Sequence, residues 1–234
     1  KLKSEVAMSE DELRKAIAFM TGPRQSSLSP YPYMRTPNPQ LAFDQSNKLK
    51  MALTKLQEDL ADPRKKALVF SNYLDAGLKP YAAGLAKANI PHGIFHGGLS
   101  DAERKKLVDE YNSNKLRVML LGPSGAEGIS TKGTSLVQLL DPSYQPVRPQ
   151  QSIGRALRFD SHLHLPDELK NVKVQRFFSR LPLPWKARLL ARLGIDQSAK
   201  AKAVDDRLSE ISEQKRQYND KFVRLLKESS AVPV

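Results

Sequence analysis

The sequence predicts an α/β fold built on a parallel sheet. Three observations predict it. From Ser46 onward, short apolar segments of strand length alternate with amphipathic helical segments. The apolar segments lack the polar alternation of a half-wet sheet, so both faces are expected to carry helices. Glycines, histidines and paired arginines concentrate in the segments that follow the strands, where sheets of this kind bind ligands.

Each element has its own warrant. Residues 1–21 predict a short helix, with Ser9 as N-cap, Glu12 three residues on, and Leu13, Ile17 and Met20 at helical spacing. Gly22 to Gln40 carries prolines at 23, 30, 32, 37 and 39 and is expected as loop or extended arm. Tyr31, Tyr33 and Arg35 lie in it. Stacking on bases is one reading of them; packing of the arm on its own domain is the favoured one. Leu49, Leu53, Leu56 and Leu60 predict an amphipathic helix that stops near Pro63. Strands are expected at Ala67–Ser71, His92–His96, Arg117–Leu121, Leu136–Leu140 and Val172–Phe178. Between them, Leu78 to Ala88 is helical with Pro80 tolerated in its first turn. Ser100 to Asn112 is helical, with Ser100 and Glu103 placed for a capping box. A further helix starts at Gln151.

Beyond Pro182 the texture changes. Lys170 to Arg192 holds seven cations and no acid. Val204, Leu208, Ile211, Tyr218, Phe222 and Leu225 then form a seam, interrupted by Lys215, on a helix of roughly seven turns. A brace docked on its own domain is favoured over a coiled coil with another chain. The expected organisation is an N-terminal helix and Pro-rich arm (1–45), an α/β domain (46–182), and a basic linker with a long helix (183–234).

Composition narrows the function. With 234 residues and 40% hydrophobic content, the chain suits one good core plus appendages. No apolar run approaches the ~18 residues of a membrane span, and no signal peptide precedes the first helix. An intracellular setting is expected, whether cytoplasm, nucleus or virion. The chain opens at Lys1 without Met, which points to excision from something longer. Zero cysteines exclude disulfides, thiolate zinc sites and Cys nucleophiles. A net charge of +13 points to an anionic partner, nucleic acid ahead of membrane.

The most informative segment is Pro149 to Asp160. On a helix, Gln151, Arg155 and Arg158 share one face. Two guanidiniums held that close repel each other unless a polyphosphate answers them, and planar forks match phosphate oxygens. The plain alternative is a solvated basic face, but Ile153, Leu157 and Phe159 provide an apolar side to fix the helix on a core. Gly122 to Ser130 follows a strand and contains Gly125 and Gly128, so its backbone can approach a ligand and aim amides at an anion. Ser124 and Ser130 add hydroxyls; a tight structural turn is the alternative. His96-Gly97-Gly98 ends a strand in a bend that can hold a phosphate backbone, although an isolated triplet of this kind is more often a turn. His162 and His164 lack a third ligand, so no metal site is expected. A phosphate-loop cradle G-x-x-x-x-G-K-[ST] is missing, and no strand-terminal acid for magnesium is recognised. The chain has arginines for a nucleotide without the cradle, as one half of a composite site would.

In order, Ala67–Ser71, His96-Gly97-Gly98-Leu99-Ser100, Gly125-Ala126-Glu127-Gly128-Ile129-Ser130 and Gln151-x-x-Gly154-Arg155-x-x-Arg158 resemble motifs IV to VI of the C-terminal RecA-like lobe of superfamily 2 helicases and translocases. The resemblance spans about Ser46 to Leu181. The Gly-Ala-Glu-Gly-Ile-Ser form and the Asp205-to-Ser229 tail look closest to Swi/Snf-like helicases of large DNA viruses and phages. It implies a RecA-like fold and an ATP-dependent helicase or translocase. ATP with Mg2+ would be held mainly by an N-terminal RecA-like lobe of the same parent chain, so the fragment alone is expected to be inactive. Arg155 and Arg158 would be arginine fingers, with Gln151 orienting them. Gly128, Ser130 and Gly154 would lie near the nucleotide. His96, Gly97, Ser124, Gly125, Ser71 and Asn72 would grip nucleic acid, DNA favoured over RNA, without reading sequence. Two departures stand out: Ser152 replaces a basic residue common in relatives, and Glu127 interrupts the Gly-Gly-Leu-Gly form of many Swi/Snf relatives. The competing reading is a degenerate nucleic-acid- or protein-binding scaffold with no ATPase role.

Overall fold

A computed structural model describes residues 21–123, 130–142, 154, 166, 170–179, 205, 210, 211, 213, 217 and 221. Its strands are β1 (Lys66–Phe70), β2 (His92–Phe95), β3 (Val118–Leu121), β4 (Thr134–Leu139) and β5 (Lys173–Arg176). Its helices are α1 (residues 21–28), α2 (Pro39–Gln45), α3 (Asn47–Asp59), α4 (Lys79–Lys87) and α5 (Asp101–Asn112). The strands pair in the order β2-β3-β1-β4-β5, and each neighbouring pair is parallel. This is the expected RecA-like α/β architecture.

Alternation along β1 explains how the sheet carries helices on both faces. Ala67 and Val69 point into a core shared with Leu49, Leu53 and Leu56 of α3 and Tyr81 and Leu85 of α4. Leu68 and Phe70 point the other way, into a smaller core with Tyr111 of α5, against which Leu107 and Val108 also pack. All five residues of β1 and all six of β4 are buried. That is why those strands read as continuous apolar runs, broken only by polar residues with specific partners.

Those polar residues act as ties. Gln138 lies fully buried in β4, accepting from the Tyr81 hydroxyl at 2.8 Å and donating to Ala52 O at 2.9 Å and Gln175 Oε1 at 2.8 Å. One amide thus links α3, α4 and β5, and its burial costs little because it is satisfied. Arg117 donates to three carbonyls, Leu60, Asp62 and Lys65, and pins the turn that leads into β1. Lys66 opens β1 in the interior. Its ammonium donates to Tyr111 O at 2.9 Å and sits 4.5 Å from the Tyr111 ring centroid.

The Pro-rich arm differs from the expected loop. Residues 21–28 are helical, Tyr31–Tyr33 form a 3-10 turn, and α2 begins at Pro39. Proline withdraws only its own N–H, so Arg24 to Leu28 are free to form helix after Pro23, and burial of Leu28 favours it. Pro39 occupies the first helical position, where its missing donor has no partner to lose, behind an Asn38 cap. The arm packs on its own domain: Ser29 donates to Ala76 O at 2.6 Å, and the Ser46 hydroxyl bonds Leu28 O. A wide helical turn, Leu74–Leu78, leads into α4. The Ser100–Glu103 capping box is present as expected. Helix 1–21 falls mostly outside the described residues. In the tail, Asp205, Glu210, Ile211, Glu213, Gln217 and Lys221 are helical.

Desolvation by burial depresses the Lys66 ammonium from 10.5 to about 8. Between those values the unfolded chain binds more protons than the folded one, so stability rises with pH there. Relative to Lys66→Met, the wild-type chain is expected to gain about 2 kcal/mol between about pH 7.5 and 9.5. Urea unfolding of both proteins across that window measures it; a constant difference would mean that Lys66 is not desolvated.

Candidate functional site

Every described strand is parallel to its neighbours, so the strand C-terminal ends lie along one edge. The connection from β1 runs to β2 on one side, while β4 runs to β5 on the other. The chain reverses between β1 and β4, and such reversals open the crevice where α/β sheets bind ligands. Here the crevice is crossed by a polar network. Asp141, two residues beyond the end of β4, is 3% exposed. Its Oδ1 accepts from the Ser71 hydroxyl at 2.7 Å and Asn72 N at 3.1 Å, and its Oδ2 accepts from Asn72 Nδ2 at 2.6 Å. Burial raises its carboxyl above the ordinary value, opposed by the Ser71 and Asn72 bonds and by the positive charge of Lys48. Gly77 makes room for this: a Cβ there would collide with the Ser71 hydroxyl.

Asp141 corrects the sequence reading on one point. A strand-terminal acid does exist, immediately after the apolar run Leu136–Leu140. Its oxygens are filled by protein donors. The signal was legible, because an acid directly after a buried strand is rarely left unanswered.

Next to the crevice, the loop after β2 is tied down. His96 is half-buried, and its Nδ1 accepts from Gly98 N at 3.1 Å. In the neutral ring this places the N–H on Nε2, which keeps a donor. Gly97 is exposed and its carbonyl accepts from Arg104 Nη2 at 2.9 Å. Gly122, after β3, is buried and donates to Phe95 O at 3.1 Å, joining the β2 and β3 exits.

The structure therefore brings His96, Gly97, Ser71 and Asn72 to one edge. Ser71 is fully buried with its hydroxyl engaged, while Asn72 is half-buried. Ser130 is at the other edge. Its carbonyl accepts from Asn112 Nδ2 at 3.0 Å, where α5 ends beside the start of β4, as the Tyr111–Thr134 hydroxyl contact at 2.8 Å shows. Gly154 is exposed and helical. Gln151, Arg155, Arg158, Ser124, Gly125 and Gly128 lie outside the described residues.

Sequence reasoning missed four charged residues near this edge. Arg24 of α1 is 9% exposed, donates to Pro142 O at 3.1 Å, and lies 5.3 Å from the Tyr73 ring centroid. Asp205 of the tail is 1% exposed and pairs with Lys48 of α3 at 2.7 Å. It also accepts from the Ser27 hydroxyl at 3.1 Å and from Ser179 N at 2.7 Å. Asp141 is the fourth. No local spacing flags these contacts, because partners lie up to 178 positions apart.

Residues 47–160 match the helicase conserved C-terminal domain. Over this segment, just under half of the chain, the protein is similar to the C-terminal lobes of helicases. Among relatives, a candidate ATP-dependent RNA helicase of Acanthamoeba polyphaga mimivirus is 31% identical over 115 residues, covering 49% of this chain and 26% of that protein. A termination factor NPH-I homolog of African swine fever virus is 26% identical over 179 residues, covering 70% of this chain and 23% of that protein. The SNF2 domain-containing protein CLASSY 3 of Arabidopsis thaliana is 34% identical over 102 residues, covering 41% of this chain and 7% of that protein. The chain thus spans about a quarter of the length of these viral relatives. In three dimensions it resembles the C-terminal part of the Fun30 ATPase domain, with a TM-score of 0.53 at 20% identity over 88% of this chain and 62% of that one. That likeness shows the fold. Large-DNA-virus and SNF2-type proteins are both among the relatives, in keeping with the motif forms. Among the described residues, no helix is long and apolar enough to cross a membrane.

Asp141→Ala leaves the Ser71 hydroxyl and two Asn72 donors without their acceptor. A loss of about 2–4 kcal/mol is expected, read by urea denaturation. A cost below about 0.5 kcal/mol, the range of ordinary surface changes, would show that the network does not hold the crevice.

Proposed function

We propose that this lobe is one half of an ATP-dependent nucleic-acid motor. The supporting observation is the strand-end edge: the His96–Gly97 bend after β2 and Asn72 after β1 lie along the same edge of the parallel sheet, within the segment that matches the helicase C-terminal domain. The domain core is residues 46–182, with 1–45 and 183–234 as flanking elements.

The donor set fits a lobe that lends cations. Among the described residues, the buried acids Asp141 and Asp205 are satisfied by protein donors. ATP with Mg2+ would supply the free energy from its hydrolysis. It would be clasped mainly by an N-terminal RecA-like lobe of the same parent chain. Arg155 and Arg158 reach across as fingers that stabilise charge on the transferring phosphoryl group, and Gln151 orients them. Gly128 and Gly154 shape the nucleotide side, while Ser130 stands at the opposite edge, beside the end of α5. His96 offers its Nε2–H and Gly97 its backbone to the phosphates of one strand, with Ser124, Gly125 and Asn72 alongside and Ser71 acting as anchor. DNA is the favoured track. Opening and closing of the cleft would then step the protein along it.

Two outcomes are expected. In the full-length protein, Arg158→Ala keeps ATP binding but lowers turnover by about 10³-fold or more; turnover near wild type would remove the finger role. The 234-residue chain alone binds a fluorescent DNA oligonucleotide without hydrolysing ATP. Its affinity falls about 10- to 100-fold between about 50 and 200 mM salt, as a few phosphate contacts require. Fluorescence anisotropy measures this, and no binding at low salt would favour a scaffold.

A further inference from the structure

The conserved domain stops short of two buried charges that bear on it. Arg24 lies before the matched segment 47–160 and Asp205 lies after it. Both are at least nine-tenths buried; Arg24 reaches the β1–β4 crevice directly, and Asp205 is linked to it through Lys48 and α1. Arg24 approaches from α1: one guanidinium nitrogen donates to Pro142 O, the first carbonyl after Asp141, while the guanidinium carbon packs over Tyr73. Its Nε has no hydrogen-bond partner among the described residues. Asp205 approaches from the tail helix and gathers Ser27 of α1, Lys48 of α3 and Ser179 beyond β5. Ser179 completes the ring by donating to Ser27 O at 2.8 Å. Lys48, paired with Asp205, is also close enough to Asp141 to favour its charged form. Two anions and two cations therefore alternate through the interior, from the tail through α3 and α1 to the turn that ends β4.

An arrangement of this kind is costly unless every member is present, since a charge stripped of its partner stays buried. It also has a direction. Asp141 is held from below by Ser71 and Asn72 of the β1 exit, and the following carbonyl is held from above by Arg24. The turn between β4 and the segment that continues to Gln151, Arg155 and Arg158 is thus fixed on two sides, one of them supplied entirely by sequence outside the conserved domain.

We propose that Arg24 and Asp205 are positioning residues for the Asp141–Pro142 turn, so that both flanks set the placement of the arginine-bearing segment. This rests on the finger role proposed above for its catalytic consequence, but not for its structural one.

The test has two arms. In the 234-residue chain, hydrogen exchange is followed in Arg24→Met, which keeps the aliphatic stem, and in Asp205→Asn, which keeps the shape. Lys173→Met, which breaks the exposed pair with Asp59 at the opposite edge, is the control. The expected result is at least about tenfold faster exchange at the Asn72 amide in both variants, through local opening rather than global unfolding, with no change there in the control. An unchanged Asn72 amide, or exchange accelerated equally throughout the sheet, overturns the proposal. In the full-length protein, the same two variants should lower kcat by about 10- to 100-fold, as small misplacements do, with the KM for ATP nearly unchanged. Arg24→Lys should recover part of the loss. Wild-type kcat beside altered exchange overturns the positioning role. Should Arg158→Ala leave turnover intact, the finger reading fails, and the exchange arm still decides whether the flanks hold the turn.

Discussion

A carboxylate buried at the end of a strand must find donors, and the way Asp141 finds them organises this lobe. Its partners come from the neighbouring strand exit, so the bond that satisfies the charge also fixes two loops against each other. Because β1 and β4 are where the chain reverses, the fixed loops flank the crevice in which such sheets place ligands. Without that network the crevice would be wet and its loops independent. With it, the Asn72 and Pro142 loops are tied to one edge, and the half-buried His96 and exposed Gly97 join the same edge through Gly122 and Phe95.

Strands and helices were largely legible in the sequence because each carries its own pattern. β1 and β4 are continuous apolar runs, and α5 announces itself with Ser100 and Glu103. The arm was less legible. Proline density argued for loop, yet proline at a first helical position costs nothing, and burial of Leu28, Ala42 and Phe43 supports helix. The crevice was legible only in part. Ser71 and Asn72 were picked for their place in the motif, but the physical reason for a polar pair there is Asp141. Arg24, Lys48 and Asp205 carried no periodic or local signal: their meaning comes from contacts across more than a hundred positions.

The two cores divide the work. The larger one, under α3 and α4, contains Gln138 and its three partners, so polar specificity is built into the face that also receives the arm. The smaller one, under α5, is nearly all hydrocarbon apart from Tyr111, whose hydroxyl meets Thr134 and whose ring meets Lys66. Hydrocarbon gives affinity between layers and satisfied polar groups give register. β4 needs both, because it pairs with β1 through an irregular register between Lys66 and Ala67.

The strand order also dictates timing. Of the described strands, β1 is the first to leave the ribosome, yet it lies between β3 and β4, and β4 ends at Leu139. The nascent sheet's middle therefore stays unflanked while roughly seventy further residues are made, several seconds at ordinary translation rates. Ser27, made earlier still, meets Asp205 only 178 positions later. A chain stalled before that point would expose an apolar sheet and a helix with no anchor. Such an intermediate is what nascent-chain chaperones intercept, so synthesis rate, as well as sequence, belongs to the folding problem of this lobe.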